Sequence, residues 1–463
     1  MAVHRNSRRS FLRSSLLALG GTAGLSAMGG LGPLAGLARA DAVPGADRYF
    51  VFVYFSGGWD ILLGLDPRDP RDFHSGNLSD TLIQPGYELL DDEGHITDII
   101  STNAGIKFGP YIGDIANHAE KVAVVRGMSM ETLTHEAGRR RFITGKVPSG
   151  LLARGSSGAT WLASHLGQGE LIPQISVNVE SYNVDQPSFA SALKVSNVPD
   201  LLRSLVPGAS GLGTLEERQI DELLAQAALC PNPEDSKLWQ ASEQARIGVR
   251  NMIEADLADY FDFQANTPEM EALRDHYGIA ASGSSALATP EAQAAMASTA
   301  LKRGISRVVS IRANTQSLDT HYDNWTTDQG PIQERGWNAI SRIIEDLESS
   351  EYENTGESWL DRTTIVAFSE FSRTARVNAN TGRDHSLTNA CLLVGGGVTG
   401  GRVIGASSDV GMEPTATDLA TGMQSMDGEV VKPEHVIRSL MVDAGIEDDV
   451  ADLRVEPIGA LFG

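Results

Sequence analysis

Short, uninterrupted apolar runs recur along this chain, and between them apolar positions return every three or four residues. The clearest run is Tyr49-Phe50-Val51-Phe52-Val53-Tyr54-Phe55, which ends on Ser56-Gly57-Gly58. A run without polar alternation predicts a strand buried on both faces, here handing its carboxyl end to a glycine turn. The same pattern predicts strands at Val122–Val125, Ile175–Val177, Val308–Ile311, Thr364–Phe368 and Leu392–Val394. Between the fourth and fifth predicted strands, Pro331 to Ser349 carries Ile332, Trp337, Ile340, Ile343, Ile344 and Leu347 at helical spacing. Strands alternating with helices predict an α/β fold with a mainly parallel sheet covered on both faces.

From about 205 to 290 the alternation breaks. Thr214 and Glu217 form a capping-box pattern ahead of Ile220, Leu223 and Leu224, and a second helical stretch runs from about Ser236 through Met252, Ile253 and Leu257. This segment reads as a mostly helical insertion. It closes on Thr289-Pro290-Glu291, a helix start in which proline occupies the first turn.

The first 40 residues follow another logic. Ser7-Arg8-Arg9-Ser10-Phe11-Leu12-Arg13 precedes a Gly/Ala/Leu stretch from Leu16 to Leu37, and Ala38-Arg39-Ala40 closes it. That arrangement spells a twin-arginine signal peptide with cleavage before Asp41, implying the twin-arginine translocase as an export partner and a periplasmic or extracellular destination. Seven glycines and Pro33 make the stretch too weakly apolar for a stable membrane anchor. Residues 41–463 are then the mature domain.

Charge narrows the partners. The chain has 37 basic and 60 acidic residues, a formal net charge of −23, and such a surface repels nucleic acid and anionic lipid. Only Cys230 and Cys391 are present. Cys391 lies in the apolar run Ala390–Val394 and reads as a core thiol, so no thiol chemistry or disulfide framework is indicated.

Candidate chemistry gathers where predicted strands end, the place at which open α/β sheets build their sites. The first strand leads to Asp60, the fourth through Arg312 to Asp319-Thr320-His321, and the fifth to Glu370-Phe371-Ser372-Arg373, with Asp384-His385 shortly after. Carboxylates and imidazoles converging from separate strand ends are the ligands a divalent cation takes. Each also has a plainer role open to it. Asp60 can cap a helix, Asp319 and His321 face one way only on extended backbone, and Glu370 can pair with Arg373.

These residues carry a resemblance. Ser56-Gly57-Gly58-Trp59-Asp60, Asp319-Thr320-His321, Ser369-Glu370-Phe371-Ser372-Arg373, Asp384-His385 and the run Gly395 to Val403 look like the DUF1501 family of exported proteins, itself similar to the alkaline phosphatase and sulfatase superfamily. The resemblance implies a three-layer, alkaline phosphatase-like α/β/α sandwich with a mainly parallel sheet. It also implies a site for one or two divalent metal ions, whether zinc, manganese, magnesium or calcium, at Asp60, Asp319, His321, Glu370 and His385. Phe371 stands where the superfamily has a histidine. His135-Glu136-Ala137-Gly138-Arg139, followed by Thr144-Gly145, resembles the sulfatase signature, with His135 in the nucleophile's place and Arg139 in that of the conserved arginine.

The implied activity is metal-dependent hydrolysis of a phosphate or sulfate ester, the substrate a small molecule or glycan. Thr134 or His135 would serve as nucleophile, and Arg139 or Arg373 would hold the transferring group. The alternative is a non-catalytic exported binding or assembly protein retaining the same fold.

Overall fold

The structure, a computed structural model, describes residues 47–91, 94–206, 214–228, 247 and 256–462. The proposed signal at 1–40, and most of the helix expected from Ser236, lie outside the described residues.

The six apolar runs, joined by two short strands at the edges, form one eight-stranded sheet. Its strands are β1 (Tyr49–Phe55), β2 (Val122–Ser129), β3 (Gln174–Val177), β4 (Leu193–Val195), β5 (Val308–Arg312), β6 (Thr363–Ser369), β7 (Thr388–Gly395) and β8 (Arg402–Ile404). The spatial order is β8-β2-β7-β6-β1-β5-β3-β4. Every neighbouring pair is parallel except the two made by β7, which runs antiparallel to both β2 and β6. β1 lies centrally and every residue in it is buried, as its unbroken apolar run requires.

Alternate side chains of β1 feed two cores. Tyr49, Val51, Val53 and Phe55 join one apolar cluster with α3 (Pro290–Lys302) and α4 (Gly330–Ser349), which contribute Ala292, Met296, Trp337, Ile340 and Ile344. Phe50, Phe52 and Tyr54 join the other, with Phe142 of α1 (His135–Thr144), Leu162 of α2 (Gly158–Leu166) and Val436, Ile437 and Leu440 of α5 (Pro433–Asp443). The result is a mixed α/β architecture with helices on both faces of a mainly parallel sheet. Trp337 packs on Phe55 at 4.5 Å on one side, and Phe142 stacks on Phe368 at 4.2 Å on the other. Those two contacts anchor a helix to each face at the strands that end beside the site.

The start of α3 follows its sequence. Thr289 caps the helix by accepting from the Ala292 amide, and Pro290 occupies the first turn. Within 205–290 the described elements are helices at Thr214–Ala228 and Pro268–Tyr277 and short 3-10 turns at Leu257–Tyr260 and Ser284–Ala288. Cys391 is a free, buried thiol in β7 whose pKa burial drives upward, so it stays protonated and inert. Among the described residues no helix is long and apolar enough to cross a membrane.

Candidate metal centre

The carboxyl ends of β1, β5 and β6 meet the amino terminus of α1 through two glycines. Gly57 has φ +106°, and a Cβ there would stand 2.3 Å from the Leu318 amide nitrogen. Only glycine lets the turn after β1 press against the loop carrying Asp319. Gly138 does the same for α1, since a Cβ would meet the Glu370 carbonyl oxygen at 2.3 Å. That close approach of α1 to the end of β6 brings the first residue of the helix, His135, onto Glu370.

Three imidazoles and one carboxylate converge there. The Nε2 atoms of His135, His321 and His385 lie 3.3, 3.0 and 3.2 Å from Asp319 Oδ1. His321 Nε2 and His385 Nε2 are 3.0 Å apart. His135, Asp319 and His385 present one ligand atom each, all within 4.8 Å of one another. Each ring is held from behind by an oxygen at Nδ1. His135 faces Glu370 Oε1 at 2.8 Å, His321 faces Asp384 Oδ1 at 2.9 Å, and His385 faces the Leu133 carbonyl at 2.6 Å. In the tautomer with Nδ1–H donating outward, which a bound cation would select, each neutral ring turns the lone pair of Nε2 inward. Lone pairs aimed at a carboxylate and at each other repel unless a cation sits among them, and imidazoles oriented by outer oxygens are what metal sites use. The donor set therefore fits a cation. The side chains remain 18 to 37% exposed, so solvent and a small ligand reach them.

Electrostatics reinforce the arrangement. Burial works to raise the Asp319 pKa, but hydrogen bonds from Arg373 and His385, with the Arg373 charge, hold it well below the usual carboxylate range. Burial pulls His135 down, yet its hydrogen bond to Glu370 and the charges of Glu370 and Asp319 outweigh that and leave it raised above 6.5. Burial dominates at His385, which is lowered. Asp384 is lowered by its hydrogen bond with His321.

The other candidates stand as follows. Glu370 is 1% exposed and accepts from His135 Nδ1, the Gly57 amide and Ser369 Oγ. Both of its oxygens are thereby engaged behind His135. Asp60 is fully buried, its Oδ2 3.1 Å from Arg383 Nε and 2.9 Å from Trp325 Nε1, its Oδ1 accepting from the Leu62 amide. The structure gives it to Arg383 and does not group it with the three histidines. Arg373 has no exposed side-chain surface. It donates to the Gly57 and Gly58 carbonyls and to Asp319 Oδ1 at 2.8 Å, so it holds the carboxylate in place. Arg139 pairs with Glu180 at 2.6 Å. Arg140 shares that glutamate, and Arg141 binds Glu131 and Glu434. Thr134 precedes α1 in extended conformation, exposed, and its hydroxyl makes no capping hydrogen bond. Phe371 is buried, its ring centroid 4.8 Å from that of His135 and 4.2 Å from that of His385, so it is an apolar wall on which both rings lean.

The pairing of Asp60 with Arg383 is the feature the sequence did not announce. Its available signal was Arg383 itself, a charge set directly beside Asp384 and His385.

A family model, described as "Protein of unknown function (DUF1501)", matches residues 47–425, and the chain belongs to that family. No curated protein matches it significantly. Among solved structures it is similar to Ps i-CgsB in complex with k-i-k-neocarrahexaose, with 9% identity, a TM-score of 0.38, and 89% of this chain and 75% of that chain covered. A second structure of Ps i-CgsB gives 9% identity and a TM-score of 0.35, with 88% and 74% covered. At this level the likeness assigns no substrate.

Proposed function

We propose that this DUF1501 protein is an exported, metal-dependent hydrolase of phosphate or sulfate esters, and that His135, Asp319, His321 and His385 hold one divalent cation. The observation that carries this reading is the convergence of three imidazole Nε2 atoms on Asp319 while every Nδ1 is tied to an outer oxygen. Three nitrogens and one carboxylate favour a borderline ion such as zinc over magnesium or calcium. The engagement of Asp60 with Arg383 supports one ion rather than two. The twin-arginine pattern at residues 7–13 supports export, and the motif resemblance to phosphatases and sulfatases supports the ester class.

A divalent cation there supplies Lewis-acid polarisation of the ester and acidifies water. The protein's own groups set the stage for it. Glu370 keeps the His135 proton on Nδ1, Asp384 does so for His321, and the Leu133 carbonyl for His385. Arg373 fixes Asp319 at the centre from a position that substrate does not reach. The second reading, an exported binding or assembly protein, is favoured by the exposed Thr134 hydroxyl, which among the described residues makes no hydrogen bond to a base that would activate it as a nucleophile.

Screening p-nitrophenyl phosphate and p-nitrophenyl sulfate with the metal-loaded protein separates the two. Turnover abolished by chelation is expected, whereas stoichiometric metal with no turnover on any ester supports the second reading.

Two further outcomes follow from the site. Glu370→Gln is expected to weaken divalent-metal binding by about 10- to 100-fold, the usual cost of removing an outer partner of a ligating histidine, measured by competition with a chromogenic chelator. Affinity is also expected to depend on pH. A raised folded pKa means that His135 keeps a proton to higher pH than a free imidazole, and that proton must leave before Nε2 can ligate. Affinity therefore rises with pH through the region above 6.5 and falls by up to about tenfold per unit below it. A flat profile between pH 6 and pH 8 would contradict the assignment of His135 as a ligand.

A further inference from the structure

Residues 130–134 carry the chain from the end of β2 to the start of α1, and this turn supplies two fixtures of the site. The Leu133 carbonyl faces His385 Nδ1 at 2.6 Å, and His135 opens the helix that follows. A carbonyl oxygen only accepts, so the contact is a hydrogen bond when Nδ1 carries the proton. The path of the turn therefore bears on two candidate ligands at once.

Near its start the turn takes an unusual step. Glu131 has φ +55°, in the left-handed region that a residue with a Cβ seldom adopts. The backbone just before it is pinned on two sides, the Ser129 amide donating to the Val431 carbonyl and the Met130 amide to the Leu387 carbonyl, each at 2.8 Å. The Glu131 carboxylate is gripped on both oxygens. Lys432, which precedes α5, lies 2.6 Å from Oε1, and Arg141 of α1 donates to Oε2 at 2.9 Å. Arg141, with a side chain 1% exposed, also reaches Glu434 in the first turn of α5 at 2.8 Å. Cations from two elements thus hold a backbone conformation that by itself costs free energy, and so buried a guanidinium is screened little by solvent ions. Among the described residues Glu131 pairs with these two cations and with none of the candidate metal ligands.

We propose that Glu131 is a positioning residue: clamped by Arg141 and Lys432, it holds the turn so that the Leu133 carbonyl orients His385 and α1 presents His135. The role rests on the reading of those two histidines as metal ligands. It assigns a task to a carboxylate that itself touches neither the cation nor a ligand to it.

The test compares wild type, Glu131→Gly and Glu131→Gln. Glycine adopts a positive φ without steric cost, so Glu131→Gly keeps the turn available and removes the clamp, and its urea midpoint is expected near that of wild type. Zinc affinity, read by competition with a chromogenic chelator, is expected to fall about tenfold, the lower end of the usual cost of disturbing an outer partner of a ligating histidine, with Glu131→Gln between the two. The His385 Nδ1 proton, followed by heteronuclear NMR with and without zinc, is expected as a protected signal in wild type and as lost to solvent exchange in Glu131→Gly. If Glu131→Gly fails to fold by circular dichroism, Glu131→Gln decides, and it must bind zinc more weakly than wild type. Zinc affinity and an Nδ1 proton unchanged from wild type, whatever the urea midpoint, would overturn the proposal. Wild-type protein that takes up no zinc would sink the metal reading, and protection of the Nδ1 proton in metal-free wild type against its loss in the variant would then decide the positioning role alone.

Discussion

His385→Ala is expected to lower divalent-metal affinity by more than about 100-fold and to lower metal-dependent turnover at least as far. Removing an outer partner of a metal-bound histidine already costs about 10- to 100-fold, and His385 supplies an inner atom. Its Nε2 lies 3.2 Å from Asp319 Oδ1 and 3.0 Å from His321 Nε2, so alanine opens the ring of donors. The fold should survive. The side chain is partly exposed, and the two-residue strand it belongs to, His385–Ser386, pairs only with Ser372–Arg373 outside the main sheet. A competitive metal titration with a far-ultraviolet spectrum on the same sample checks both halves. Unchanged affinity in a folded variant would remove His385 from the site.

Asp60→Asn is expected to act in the opposite way, costing stability and sparing the metal. Asp60 and Arg383 are both fully buried and 3.1 Å apart. Asparagine leaves the Arg383 guanidinium as an uncompensated buried charge, at a cost of about 3–5 kcal/mol. The measurement is the urea midpoint at constant slope. Replacing both partners by apolar residues of similar volume, Asp60→Leu with Arg383→Met, should recover only part of the loss: the desolvation of both charges disappears together, but the Trp325 Nε1–H and Leu62 amide served by Asp60 and the Thr374, Gln84 and Pro85 carbonyls served by Arg383 lose their partners. If Asp60→Asn instead removes metal at unchanged stability, Asp60 is a ligand and a second ion belongs in the site.

The contrast between these two variants marks where sequence reasoning reached and where it stopped. Strands such as Tyr49–Phe55 and Thr364–Phe368 were legible because burial on both faces leaves no room for polar alternation. The direction of β7 was not legible from those runs. Thr388–Gly395 is buried almost throughout, and an apolar strand reads alike whichever way it runs. The short outer strands Leu193–Val195 and Arg402–Ile404 carry too few residues for a period to show. Asp319, His321 and His385 stood out because each follows a strand end, and the structure brings them together. The relation of His135 to Glu370 was out of reach, since it depends on how closely α1 approaches β6, which Gly138 permits through tertiary contact rather than local pattern. For the same reason Asp60 read as a ligand. Arg383 comes from a distant loop, and only the folded chain shows its guanidinium 3.1 Å from the carboxylate.

The central claim is a single cation held by three histidines and Asp319. It is tested most directly by elemental analysis of the protein, purified without chelator, beside folded His321→Ala and Asp60→Asn. The account predicts about one divalent ion per chain in wild type and in Asp60→Asn, and almost none in His321→Ala. Folded wild-type protein free of metal, or His321→Ala with its metal intact, would contradict it.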